Sequence, residues 1–141
     1  MPYREKTAWL SLIAMAVAFG PYFALVIAGS HQERALPNLR QLGLFAVAAI
    51  VQVLILGIGH VYLSRGFPQE SRMPPDERDV AIMRRSVSSA YYVLIAGMVL
   101  VGCVMPFNSN GWTIINAALM MIVLAEVVHY GVAVLSYRRQ A

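Results

Sequence analysis

The sequence predicts an all-α integral membrane protein: one domain, a bundle of four membrane-spanning helices with both termini in the cytoplasm. Three observations predict it. Of 141 residues, 59% are hydrophobic and 13% charged, outside the usual range of soluble domains. Four apolar runs, 9–28, 42–63, 89–107 and 112–135, are each long enough for a hydrocarbon core, which takes about 20 helical residues. Finally, Arg4, Lys6, Arg65, Arg72, Arg78, Arg84, Arg85, Arg138 and Arg139 fall on one side of such a topology, and only Arg34 and Arg40 on the other. Cationic flanks stay in the cytoplasm, which sets the orientation. A bacterial inner membrane is the expected location.

The first span follows the short basic start "YREK" and ends near "IAGS". Its apolar stretch exceeds the core of a signal peptide, so it is read as a retained helix. Pro21 removes a backbone donor near its middle and favours a kink. Ala14 and Ala18, four residues apart, suit close helix packing. The next loop, "GSHQERALPNLRQ", is short and polar, with a turn at Pro37 and Asn38 and with His31 as a solvated residue.

The second span carries Gln52 near its centre and His60 near its cytoplasmic end. Eight positions leave them about 80° apart on the helix, a side expected to face protein. The cytoplasmic segment 64–86 begins as loop, with Gly66, Pro68, Pro74 and Pro75, and then reads "PPDERDVAIMRR". Pro75 suits a first turn, and Asp76, Glu77 and Asp79 place negative charge at the positive end of a helix dipole. The helix is expected to start near Pro75 and continue into the third span. "NSNGW" makes a tight turn to the fourth span. Trp9, Trp112, Tyr62, Tyr91, Tyr92 and Tyr137 fall near span ends and read as interfacial anchors.

The run "PPDERDVAIMRRSVSSAYYVLIAGMVL" resembles a family of small multi-spanning prokaryotic membrane proteins known as domain of unknown function 2178. Asp76, Glu77, Arg78, Ile82, Arg85, Ala90, Tyr91 and Tyr92 carry the resemblance. It implies a fold of membrane helices and partnership with a regulator, and it transfers no catalytic residue.

The fourth span contains "LAEVVHYG". A charged carboxylate deep in a bilayer costs several kcal/mol, so Glu126 is expected to be neutral, paired or turned to an internal cavity. Glu126, His129, Tyr130, Ala133 and Tyr137 share a sector of about 100°. Counted from the cytoplasmic arginines, Gln52 and Glu126 are level, while His60 and His129 differ by about 6 Å of helix rise. Gln52, His60, Tyr91, Glu126 and His129 thus form a candidate polar cluster within the cytoplasmic half.

Three functions compete for that cluster. The plainest is a hydrogen-bonded network that sets helix register, each bond worth about 0.6 kcal/mol. A metal or haem site on His60, Glu126 and His129 is another, although a di-iron set needs Glu-x-x-His twice plus two more Glu and one copy is present. The third is proton-coupled transport, with Glu126 and His129 exchanging protons in a dimer. Cys103 is alone, excluding an internal disulfide or a cysteine cluster, and reads as a small buried residue. Phosphate-loop, Gly-x-Ser-x-Gly and His-Glu-x-x-His motifs are absent, which argues against an enzyme. No cofactor is expected. The net charge of +4 serves topology and lipid contact and needs no nucleic acid. The expected function is that of a self-associating interaction or regulatory subunit. Its working surface is the cytoplasmic segment, through Asp76, Glu77, Arg78, Arg84 and Arg85.

Overall fold

A computed structural model describes residues 3–29 and 39–139. The loop carrying His31, Arg34 and the turn at Pro37 and Asn38 lies outside them. Five α-helices follow in order: α1 (Tyr3–Gly29), α2 (Leu39–Gly66), α3 (Pro68–Arg72), α4 (Glu77–Val99) and α5 (Gly111–Arg139). Four of these segments, with α4 continuing to Phe107, are long and apolar enough to cross a membrane. The chain is an all-α, multi-pass bundle, and each expected span lies within a longer helix.

Helices α1 and α5 are the inner pair. α1 packs on α2 and α5, and α4 packs on α5, while α2 and α4 share no extended contact. Each inner helix therefore has two neighbours, each outer helix one. Toward the basic end, Ala8 of α1, Ile82 of α4 and Ala133, Val134 and Tyr137 of α5 form one core cluster. Toward the far end, Ala18, Phe19 and Tyr22 of α1 meet Ala48 and Phe45 of α2 and Val123 of α5. Ala14 and Ala18 are both buried, consistent with small residues admitting a neighbouring helix. Two glycines do the same: a Cβ on Gly59 would stand 2.6 Å from Leu10 of α1, and one on Gly97 would stand 2.6 Å from Met121 of α5. α1 is assigned as one helix through Pro21.

The third span starts as its sequence suggests. The Asp76 side chain accepts from the Glu77 backbone N–H at 2.7 Å and the Asp79 carboxylate accepts from the Asp76 N–H at 3.2 Å, closing a capping box. Its far end is irregular: Leu100–Val104 widens to a π turn and Met105–Phe107 tightens to a 3-10 turn. Pro106 accounts for this, because it cannot donate to the carbonyl one turn back. Asn110 then caps α5, accepting from the Thr113 N–H at 2.9 Å.

Two single-residue expectations change. Cys103 is exposed, not buried, because the π turn lies on an outer helix. Tyr137 is no interfacial anchor: it is 7% exposed and belongs to the core. Tyr62, Tyr91 and Tyr92 are exposed as anchors would be.

Candidate functional site

At the basic end α1, α4, α5 and the 67–76 connection converge on Asp79. Its position as the third residue of α4 turns it back toward the helix start. The Arg4 Nε of α1 lies 2.9 Å from one Asp79 oxygen, the oxygen that also accepts from the Asp76 N–H. The Tyr137 hydroxyl of α5 donates to the other oxygen at 2.8 Å. One carboxylate thus joins α1, α4 and α5. Charge-assisted bonds are stronger than neutral ones, and more so in a half-buried site.

Contacts around Asp79 hold the rest of the layer. The Arg4 guanidinium reaches the Met73 carbonyl at 3.4 Å, and the Tyr3 N–H donates to Glu70 at 3.1 Å. Lys6 sits 3.4 Å above the Phe67 ring. Glu5, 4% exposed, pairs with Arg138 at 3.6 Å, and that guanidinium lies over Trp9. The Arg78 guanidinium donates to the Tyr137 carbonyl at 3.4 Å. The segment 67–76 is therefore tied to α1 along its length.

A cleft of about 450 Å³ opens in this layer. Its lining includes Arg4, His60, Asp79, Arg84, His129 and Tyr130, with Tyr137 behind Asp79. His60 of α2 faces it from one side, in edge-on contact with Tyr3 at 6.5 Å. Residues of α4 face it from the other. The His129 Nδ1 is buried without a hydrogen-bond partner, and its ring rests against Tyr130 at 4.7 Å.

Of the expected polar cluster, the structure brings His60 and His129 to this one cleft and leaves the others apart. Glu126 sits one turn of α5 above His129, exposed, outside the cleft lining. It has no internal partner among the described residues, so the expectation that it turns inward is not met within one chain. Gln52 is half-buried on α2, and Tyr91 is exposed on α4 beside Tyr92. The cause is the open arrangement: with α2 and α4 apart, groups at equal depth on different helices have no common interior. Among the described residues no three His, Cys, Asp or Glu side chains stand close enough to hold a metal ion.

The segment 64–86 divides into two sets. Asp76 and Arg78 are engaged in holding the fold, whereas Glu77, Arg84 and Arg85 are exposed without ion pairs among the described residues. Sequence reasoning missed Asp79 and Glu5 as ties between helices. It also missed a far-end bridge: Tyr22 donates to Asn116 at 2.8 Å, and the Asn116 amide donates to Gln41 at 3.3 Å, linking α1, α5 and α2. A signal for Asp79 was present in "DERD", where a second acid three residues after the first permits a capping box. Nothing local marked Tyr137 or Arg4 as its partners.

No family model, curated protein or solved structure matches this chain. Class rests on the four apolar helices, and function on the geometry above.

Proposed function

We propose that this protein is a small subunit of the bacterial inner membrane that works by association, presenting its cytoplasmic segment to a protein partner. One observation carries the reading: the Arg4–Asp79–Tyr137 junction fixes the start of α4, so Glu77, Arg84 and Arg85 are displayed from a held helix instead of a loop. Preformed charged faces bind with less ordering cost than mobile ones. The basic end is cytoplasmic by the charge rule. Self-association is proposed on a separate ground. The exposed Glu126 lies within a span, where an uncovered carboxylate is costly, and a second copy against α5 would shield it.

Site-specific photocrosslinking in native membranes tests the reading. With a photoreactive amino acid in place of Arg85, a discrete adduct with another protein is expected, and none with the same group in place of Tyr62 on α2. Adducts only to lipid from both positions contradict it. A proton-coupled carrier is the second reading, favoured by Glu126 standing one turn from His129 with its unpartnered Nδ1. Proton flux in proteoliposomes that Glu126→Gln abolishes would move it to first place. A metal or haem on His60 and His129 would declare itself in elemental analysis and visible absorption of the purified protein.

A further inference from the structure

The cleft at the basic end is rich in hydrogen-bond donors and poor in acceptors. Asp79 is the carboxylate in its lining, and its two oxygens already accept from Arg4, the Asp76 N–H and Tyr137. The Arg4 charge is matched by Asp79. Arg84 has no ion pair among the described residues, and Glu77 lies with it in a separate neighbouring recess. His60, His129 and Tyr130 also line the cleft, and the buried His129 Nδ1 has no hydrogen-bond partner among the described residues. A group that satisfies this lining must bring several acceptor oxygens and negative charge, as a phosphate does.

The cleft's place in the membrane identifies the source of that phosphate. His60 is five residues from Arg65 and His129 nine from Arg138, about 8 and 14 Å along their helices. That places His60 near the headgroup layer and His129 about 6 Å deeper. α2 and α4 make no extended contact, so no helix interface closes the space between the two outer helices. The apolar side chains of Ile82, Met83 and Ala133 line the rest of the cleft. From these observations we propose that the cleft between α2 and α4 binds the phosphate headgroup of an anionic membrane lipid, held by Arg84, His60 and His129. This site shares Arg84 with the face proposed above for a protein partner, while His60 and His129 belong to the cleft alone.

Native mass spectrometry of the full-length, delipidated protein in detergent tests it, with phosphatidylglycerol or phosphatidylcholine added at equal concentration. Preferential retention of phosphatidylglycerol is expected. Arg84→Gln should weaken that retention about fivefold, the effect of one basic charge at a headgroup, whereas Arg139→Gln, which removes a charge outside the cleft, should leave it unchanged. His60→Gln provides a second reading of the same loss should Arg84→Gln impair folding. Equal retention of the two lipids overturns the proposal, as does equal weakening by Arg84→Gln and Arg139→Gln, which would mark diffuse surface attraction. Displacement of the lipid by inorganic phosphate at the same concentration also overturns it, in favour of a soluble phosphate ligand.

Discussion

Asp79 and Glu126 are both acids in a basic, apolar chain, and they end in opposite situations. Asp79, at the start of α4, accepts from three donors on three elements. Glu126, in the middle of α5, faces outward with no internal partner among the described residues. The difference follows from where helices converge. At the basic end α1, α4, α5 and the 67–76 connection supply donors to one another. Higher up, α5 contacts its two neighbours through apolar and small residues, and Glu126 stays exposed beside those contacts. The basic end is thus held by polar bonds that fix direction, and the middle by close packing that does not discriminate.

Substitutions that weaken one region should spare the other. The largest effect is expected from Asp79→Ala, which strands Arg4 and Tyr137 and should cost about 2–3 kcal/mol, read as a lower unfolding midpoint in mixed detergent. Next comes Gly97→Val, which drives a branched side chain against Met121 across the α4–α5 contact. It should cost about 2 kcal/mol in the same assay, while leaving the Asp79 junction at the basic end intact. Asn116→Ala cuts the link between Tyr22 and Gln41 at the far end and should cost about 0.6–1.7 kcal/mol, the range of interhelical polar bonds in membranes. The smallest effect on the fold belongs to Glu126→Gln, within about 0.5 kcal/mol. Its consequence should instead appear in association: sedimentation in detergent is expected to show a changed oligomer distribution. An effect of Glu126→Gln on folding as large as that of Asp79→Ala would erase the contrast.

Much of the fold was legible because it depends on quantities that a sequence carries locally. Hydropathy and run length located the four spans. The charge and turn chemistry of "PPDERD" located the start of α4 within two residues, since an N-cap is a local arrangement. The site was legible only in part. Periodicity grouped Glu126, His129, Tyr130, Ala133 and Tyr137 on one side of α5, and all of these but Glu126 line the cleft. The depth count brought His60 to the same place. It failed for Gln52, Tyr91 and Glu126 because depth fixes height on a helix and leaves open which helices are neighbours. The open order α2, α1, α5, α4 keeps Gln52 and Tyr91 on helices without extended contact, and Glu126 stays exposed on α5. The pairing of Arg4 and Tyr137 with Asp79 spans most of the chain and has no local signature.

The 76–85 segment also illustrates why charged residues in one motif are not equivalent. Asp76 and Arg78 hold backbone, so substitutions there report on folding. Glu77 and Arg85 are exposed, so substitutions of their side chains leave these internal bonds in place and test the proposed recognition. A loss of function on Asp76→Ala alone would therefore say little about a partner, whereas the same loss on Glu77→Lys with an unchanged unfolding midpoint would locate the contact surface.

The central claim is that Asp79 ties the first and last helices to α4 and so fixes the basic-end face. A double-mutant cycle between Asp79→Asn and Tyr137→Phe, followed by unfolding in mixed detergent, tests it most directly. A coupling of about 1 kcal/mol or more is expected, because the two side chains share one short bond. Strict additivity of the two substitutions would contradict the account and leave the α4 face untethered.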